Sequence, residues 1–288
     1  MSIKVRNLSH IYSPGMPDEQ IAIQNINFDI YDGEVVAIIG HTGSGKSTLL
    51  QHLNGLLKAT EGTIEIGDVD ITKPGIPMKD VRKRVGLVFQ YPEYQLFDET
   101  VEKDVAFGPK NLGLNEEEVQ RRVKEALELV NLDFEEIRER SPFELSGGQK
   151  RRVAIAGVIA MKPQVLILDE PTAGLDPGAH KDILRMIEDI HQRQNNIIIF
   201  VSHNMADVAN LADKIMVMDK GRMIMMGTPE EVFSQEERLE AIGLDVPPVT
   251  KFINSLSKAG IPLKENVLTL KEAKEEIYNY LTGQSKAR

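Results

Sequence analysis

A glycine-rich segment between an apolar stretch and a helical pattern limits what this chain can fold into more than any other feature. Residues 34–39 read Glu-Val-Val-Ala-Ile-Ile, and a loop follows that consists of Gly40, His41, Thr42, Gly43, Ser44, Gly45, Lys46, Ser47 and Thr48. Residues 49–57 then show a helical pattern. This spacing between a buried strand and a helix is typical of a loop whose backbone N–H groups surround phosphate oxygens. We therefore predict a nucleotide site, with Lys46 between the β- and γ-phosphates and the Ser47 hydroxyl on Mg²⁺.

The composition excludes several other kinds of site. The 288 residues include no cysteine, which excludes a disulfide framework, a thiol nucleophile and cysteine-bound zinc or iron–sulfur centres. The formal net charge is −10, so we expect no nucleic-acid partner. The longest apolar runs have five residues, whereas about 20 are needed to cross a bilayer. Work at a membrane would therefore require docking onto another protein.

Apolar segments alternate with helical patterns along much of the chain. β-Branched and aliphatic residues dominate 34–39, 85–90, 165–169 and 196–202, whereas 3–8 and 24–30 alternate like strands of an antiparallel sheet. We predict helices after Asn115, where Glu118 is placed for a capping box, and from Pro177, and a hairpin within 214–226. The pattern predicts an α/β fold with a mainly parallel sheet and an antiparallel β subdomain.

Two acidic residues follow the apolar segment 165–168. Asp169 ends the predicted strand, where its carboxylate can hold Mg²⁺ through the water shell of the ion. Glu170 comes next and is placed to polarise or deprotonate an attacking water. Such acids often only cap the next helix, but the phosphate loop favours the catalytic interpretation.

A second glycine-containing motif opens a helix in the middle of the chain. It consists of Leu145, Ser146, Gly147, Gly148 and Gln149, and donors at a helix N-terminus form an anion site. This LSGGQ segment, the phosphate loop and the strand 165–170 together resemble the nucleotide-binding subunit of an ATP-binding-cassette (ABC) transporter. The resemblance covers about residues 1–230 and implies a phosphate-loop NTPase core with a helical subdomain at about residues 91–161. It leaves residues 231–288 as a C-terminal assembly or dimerisation segment.

The resemblance also implies roles for single residues. Gln90 would be the Q-loop glutamine, a catalytic residue and a Mg²⁺ ligand. His203, after the strand 197–202, would be the catalytic switch histidine, and Tyr12 the aromatic that stacks on adenine. In this family two domains pack head to tail, which implies that the LSGGQ residues contact ATP on the partner chain. Asp176 would then lie at the dimer seam.

The segment after Gln90 narrows the resemblance further. Residues 90–110, which include VAFGPK, look like the second ATPase paralogue of energy-coupling-factor (ECF) importers. Such importers take up vitamins or transition-metal ions with two ATPases, a membrane coupling protein and a substrate-binding membrane subunit, which implies a peripheral location on the cytoplasmic face of the cell membrane. We expect the docking segment, residues 91–99, to bind a membrane partner through Tyr94, Leu96 or Phe97, with Glu93 or Asp98 facing its basic residues.

Other members of the superfamily are the alternatives. One is the ATPase of a different ABC transporter class. Another is a soluble ABC ATPase of DNA repair or translation, but DNA-repair members carry long coiled-coil insertions and translation members usually carry two cassettes. The space between Leu49 and Val165 is too short for such an insertion, and the sequence has one phosphate loop. A binding-only subunit is disfavoured because Lys46, Ser146 and Glu170 are all present.

Overall fold

A computed structural model describes residues 1–282 of the protein. The strands are β1 (Ser2–Tyr12), β2 (Gln20–Tyr31), β3 (Val35–Ile39), β4 (Glu61–Ile66), β5 (Val69–Asp70), β6 (Val85–Val88), β7 (Val165–Asp169), β8 (Ile197–Val201), β9 (Lys214–Asp219) and β10 (Arg222–Gly227). The helices are α1 (Lys46–Leu53), α2 (Met78–Arg84), α3 (Val101–Asn111), α4 (Glu116–Leu129), α5 (Phe134–Ile137), α6 (Gly147–Ile159), α7 (Pro177–Gln194), α8 (Met205–Leu211), α9 (Pro229–Phe233), α10 (Glu236–Glu240), α11 (Pro248–Lys258) and α12 (Leu270–Leu281). Single 3₁₀ turns cover Pro92–Gln95 and Pro142–Glu144.

A mainly parallel sheet forms the centre of the molecule. Within residues 1–282 it has six strands in the order β10-β9-β3-β8-β7-β6, and only the β9–β10 hairpin is antiparallel. Every residue of β3 and β8 is buried, because both faces of this parallel sheet are covered and such strands favour continuous apolar runs. The predicted α/β fold and the hairpin are confirmed. Strand β6 ends at Val88, two residues before its predicted end.

The register of this sheet aligns the ends of its strands. Val88 pairs with Leu168, Leu168 with Phe200, and Ile38 with Val201. The loops that follow β3, β6, β7 and β8 therefore leave the sheet along one edge. In open parallel sheets this carboxyl edge is where ligands bind.

A second sheet packs beside the first. Within the described residues it has four antiparallel strands in the order β2-β1-β4-β5, as the alternation in residues 3–8 and 24–30 predicts. Its buried side chains, such as Ile3 and Ile26, share one apolar cluster with Ile38 and Ile167 of the central sheet. This contact fixes the N-terminal strands against the sheet that carries the site.

Helices α3 to α6 lie between β6 and β7 in the chain. Helix α4 begins after Asn115, whose side chain accepts a hydrogen bond from the Glu118 backbone N–H at 2.9 Å. The predicted capping box is incomplete, because the Glu118 carboxylate accepts hydrogen bonds from Arg121 and Arg122 instead. The boundaries of the predicted helical subdomain stay a prediction.

The C-terminal part packs in two places. Phe233 and Val246 belong to the main core, whereas Ile253, Leu263 and Val267 form a small cluster of their own between α11 and α12. The division at residue 230 stays a prediction, and residues 283–288 of the predicted segment lie outside the described residues.

In the part of the chain that the structure describes, no helix combines the length and apolar character needed to cross a membrane.

Candidate active site

The phosphate loop connects β3 to α1 and is closely packed. Gly45 has φ +101°, and a Cβ there would lie 2.7 Å from the Ala22 carbonyl oxygen. Only glycine fits this combination of backbone angle and contact. The buried Lys46 ammonium donates hydrogen bonds to the carbonyls of Gly40 at 2.6 Å and His41 at 3.0 Å. Burial lowers the pKa of Lys46. The loop carbonyls hold the Lys46 ammonium at the place where the sequence predicts phosphate oxygens.

An ion pair that the sequence analysis did not predict ties this loop to β9. The His41 Nε2 atom lies 2.7 Å from Oδ1 of Asp219, and Nδ1 lies 2.8 Å from the Thr42 carbonyl oxygen. The hydrogen bond to Thr42 and then the one to Asp219 raise the pKa of His41. The protonated imidazole can donate to both oxygens, which keeps the loop against the β9–β10 hairpin.

Two of the three predicted magnesium ligands, Ser47 and Asp169, meet at the phosphate loop. The Ser47 hydroxyl donates a hydrogen bond to Oδ2 of Asp169 at 3.2 Å, and burial raises the pKa of the Asp169 carboxyl. Gln90 lines one cleft with Glu170 and His203. Residues 1–282 contain no cluster of three or more His, Cys, Asp or Glu side chains that could hold a metal alone. A hydroxyl and one carboxylate still fit Mg²⁺, which usually takes one or two protein oxygens and completes its shell with water and phosphate.

Glu170 and His203 meet at the carboxyl edge of the sheet. Oε1 of Glu170 lies 3.2 Å from Nε2 of His203, and it has no aligned hydrogen-bond partner among the described residues. Glu170 has φ +51°, an uncommon angle for a residue with a side chain. Its backbone N–H donates to the Val201 carbonyl at 3.2 Å, and this bond fixes the carboxylate above the sheet edge.

Burial shifts the pKa values of Glu170 and His203. It raises the pKa of Glu170 to about 7, with the neighbouring Asp169 charge as the second cause. Burial and the Lys46 charge lower the pKa of His203. Near neutral pH the imidazole is therefore neutral, while the carboxyl is close to its own midpoint. A carboxyl with such a pKa is suited to accept a proton near pH 7.

Tyr12, the predicted adenine-stacking residue, ends β1, and its side chain reaches the start of α1. The Tyr12 hydroxyl is 3.3 Å from Oγ1 of Thr48, and the Tyr12 ring meets the His10 ring edge-on at 4.5 Å between centroids. The ring is partly exposed, so a planar group can reach its face. The stacking role stays a prediction.

The LSGGQ segment lies in a different cleft. Ser146 and Gln149 form a capping box at the start of α6, in which each side chain accepts from the other's backbone N–H. The cleft also contains Asp176, whose Oδ1 accepts from the N–H groups of Gly178 and Ala179 and so caps α7. Among the described residues, no phosphate-loop residue lines this cleft.

The structure corrects the predictions for two docking residues, Leu96 and Glu93. Leu96 is 7% exposed and lies in the main core, because the 3₁₀ turn before it directs its side chain inward. The Glu93 carboxylate is paired with Arg151 of the same chain, at 2.6 Å between Oε1 and Nη2, so it does not face a partner. Tyr94 is 84% exposed and Phe97 58% exposed, and for these two the docking role stays a prediction.

Comparisons with known proteins agree with this architecture. A family model described as "ABC transporter" matches residues 23–173. The energy-coupling factor transporter ATP-binding protein EcfA2 of Caldanaerobacter subterraneus subsp. tengcongensis is 59% identical over 283 residues, which cover 98% of this chain and 99% of that protein.

Two solved structures extend the comparison. One is cbiO1 from Clostridium perfringens, described as part of the ABC transporter complex cbiONQ; it has a TM-score of 0.75 and 39% identity, and the match covers 89% of this chain and 98% of that one. The other is a dimeric post-hydrolysis state of the ATP-binding cassette MJ0796 bound to ADP and Pi, with a TM-score of 0.69, 28% identity and coverage of 78% and 98%. The full-length relative and the family match together show that this chain belongs to the ABC transporter family, among the ATP-binding proteins of energy-coupling factor transporters.

Proposed function

We propose that this protein binds and hydrolyses ATP as a subunit of an ECF importer, in which hydrolysis drives uptake through membrane partners. The observation that carries the proposal is the meeting of Lys46, Asp169, Glu170 and His203 at one sheet edge, although they follow three different strands. A fold that needs only a stable core has no reason to place a half-buried and a buried acid, Asp169 and Glu170, beside a buried lysine. The membership in the ECF ATP-binding group supports the same function.

Each group at this edge has a chemical task. The loop N–H groups and Lys46 bind the phosphates, and the Tyr12 ring stacks on the adenine. Ser47, Asp169 and Gln90 are the side chains that hold Mg²⁺, which supplies charge neutralisation for the leaving phosphates when bound. These oxygen donors match the preference of that ion.

Glu170 acts as the general base for the attacking water. Its carboxyl, with a pKa of about 7, can take up a proton at neutral pH and release it again without a large energetic penalty. His203, 3.2 Å away, orients this carboxylate and the water. Because the pKa of His203 is lowered, the imidazole stays neutral and leaves the proton-accepting role to Glu170.

The LSGGQ segment serves the nucleotide of a second ATPase. The cleft that contains Ser146, Gly147, Gly148 and Gln149 includes Asp176 but no described phosphate-loop residue. A head-to-tail dimer would bring this cleft against the phosphate loop of the partner, either a second copy or a paralogue. The similarity to a cassette described as dimeric supports such an assembly.

The docking segment supplies the contact with the membrane coupling protein. Phe97 packs edge-on against Phe107 at 5.0 Å, and both are half exposed. A groove of about 710 Å³ beside them is also lined by Leu112 and Met161. An apolar groove with exposed aromatics fits a helix that carries apolar anchors. This contact holds the protein at the cytoplasmic face of the membrane, while the choice of vitamin or metal ion belongs to the substrate-binding membrane subunit.

Isolation of the complete complex tests the proposal. The tagged chain is purified from its native membranes, co-purifying proteins are identified, and ATP hydrolysis is measured for the wild type and for Lys46→Ala. We expect a second ATPase and polytopic membrane proteins to co-purify, and hydrolysis to depend on Lys46. A chain that co-purifies with no membrane protein, or that hydrolyses ATP equally well without Lys46, would disprove the proposal.

A further inference from the structure

Arg151 is a buried cation on helix α6, which begins within the LSGGQ segment. Its side chain is 1% exposed, and Nε and Nη2 donate to the two carboxylate oxygens of Glu93 at 3.0 and 2.6 Å. Nη1 donates to two backbone carbonyls, those of Pro171 at 3.1 Å and Ala173 at 2.7 Å. The guanidinium thus uses its fork to bind two separate segments at once.

The two segments have different tasks in the proposed function. Glu93 belongs to the docking segment, and Pro171 follows directly after Glu170. A second contact joins the same segments, since a Cβ on Gly174 would lie 3.3 Å from Cε1 of Tyr91. The Tyr91 ring therefore packs on the chain that leads from Glu170 to Asp176, and the Arg151 guanidinium lies 5.9 Å from the centre of that ring.

This inference rests on the proposed function. We infer that Arg151 is a positioning residue that links the docking segment to the chain after Glu170, so that docking of a membrane partner changes the placement of Glu170. A buried guanidinium cannot give up one set of partners without leaving a charge or a carbonyl unpaired. When docking moves Glu93, Arg151 and the Pro171–Ala173 carbonyls must move with it.

A set of variants separates this link from simple stability. Arg151→Met and Glu93→Leu each leave an unpaired charge buried, so both lower the thermal midpoint. The double variant removes both charges and recovers the part of the stability that depends on the ion pair, because paired apolar replacements of a buried ion pair are well tolerated. The carbonyls of Pro171 and Ala173 still lose their donor. The connection between the docking segment and the chain after Glu170 is lost in both single variants and in the double variant. Arg151→Lys keeps a charge for Glu93 but cannot also reach both carbonyls in the geometry of the guanidinium fork.

The measured quantity is the stimulation of ATP hydrolysis by the membrane partners. It is the turnover of the purified complex divided by that of the ATPase pair released from it. We expect stimulation to fall about fivefold or more in Arg151→Met, Glu93→Leu and the double variant, a typical size for coupling between sites. The KM for ATP should stay within about twofold of the wild type, because no phosphate-binding group is changed.

Arg122→Met is the matched control. Arg122 also donates to one carboxylate, that of Glu118, and to one backbone carbonyl, that of Met161. Within residues 1–282 its hydrogen bonds reach neither the docking segment nor the chain after Glu170. This variant should keep full stimulation even where its thermal midpoint falls.

The outcomes separate the inference from the proposed function. If stimulation recovers together with stability in the double variant, Arg151 is a merely structural residue and the inference is overturned. The same holds if stimulation survives in Arg151→Met. A wild-type ATPase pair whose turnover does not change on joining the membrane proteins would overturn the proposed function and the inference together.

Discussion

The imidazole Nε2 of His203 lies 3.2 Å from Oε1 of Glu170, although the two residues follow different strands. The parallel register that pairs Asp169 with Val201 produces this contact, because each functional residue comes one or two positions after a paired residue. Burial at that edge then raises the pKa of the carboxyl and lowers that of the imidazole. The same register thus brings the two groups together and adjusts their acidity.

The first prediction concerns the general base. Glu170→Gln should bind ATP with unchanged affinity but hydrolyse it about 10²–10⁴-fold more slowly in the assembled complex, because an amide cannot accept the proton. Single-turnover hydrolysis and equilibrium nucleotide binding measure the two effects. Glu34→Gln is the control, since Glu34 pairs with Lys214 before β3 begins, away from the carboxyl edge. A hydrolysis rate of Glu170→Gln within about threefold of the wild type would remove Glu170 from this role.

The second prediction concerns the pH dependence of hydrolysis. Because kcat/KM reports the ionisation of the free enzyme, it should rise with pH through a midpoint near the Glu170 pKa of about 7. The measurement is kcat/KM for ATP across that range, with the slow residual rate of Glu170→Gln as the comparison. A profile with the same midpoint in both proteins would assign the ionisation to another group.

The third prediction concerns stability. The folded-state pKa of Glu170, about 7, lies above its ordinary value of 4.5, so the folded protein holds this proton more tightly than the unfolded chain. The stabilisation is complete below pH 4.5 and is lost as the pH rises through 7. Glu170→Gln should therefore be more stable than the wild type above pH 7, by up to about 3 kcal/mol, and the difference should shrink toward low pH. Urea unfolding of both proteins at several pH values measures this, and a difference independent of pH would show that Glu170 titrates normally.

The fold and the main site residues could be predicted because their signals are local. The phosphate loop, the strand before Asp169 and the LSGGQ segment are runs of adjacent residues, and each run carries its own spacing. The buried runs in β3 and β8 indicate parallel strands without any knowledge of their neighbours. The region 58–84 carries no such run, since Gly62 lies inside β4 and Gly67 lies in the turn between β4 and the two-residue strand β5.

The charge pairs could not be predicted, because their members are distant in the chain. His41 and Asp219 are 178 residues apart, and Arg151 and Glu93 are 58 apart. Nothing in the sequence distinguishes Arg151 from its basic neighbours Lys150 and Arg152, which are only half-buried. Only the packing of α6 against the turn Pro92–Gln95 directs Arg151 inward.

The fourth prediction concerns the assembly of two ATPases. In a head-to-tail pair each site combines the Lys46 side of one chain with the Ser146 side of the other. Lys46→Ala on one chain and the Ser146→Arg change on the other should therefore damage the same site and leave the second site complete. Both changes on one chain should damage both sites. The measurement is the number of nucleotides bound per complex, with the two changes on opposite chains or on the same chain. Equal numbers in the two complexes would contradict the head-to-tail pair.

The fifth prediction uses the contrast between neighbouring residues of the docking segment. Leu96 is buried in the main core, whereas Phe97 is 58% exposed. Leu96→Ala should lower the free energy of unfolding by about 2–5 kcal/mol, because it leaves a cavity in a packed core. Phe97→Ala loses mainly its edge-on contact with Phe107, about 0.5–1.5 kcal/mol.

Leu96→Ala has the larger effect on stability, but Phe97→Ala should have the larger effect on binding to the membrane partner. Phe97→Ala removes an exposed aromatic anchor, which at the centre of an interface typically costs about 2 kcal/mol or more. Its association with the membrane proteins and the uptake of substrate into vesicles should be strongly reduced, while ATP binding by the ATPase pair is retained. Leu96→Ala, tested at a temperature where it is fully folded, should still associate. If Phe97→Ala and Tyr94→Ala both assemble and transport normally, the membrane partner binds a different surface.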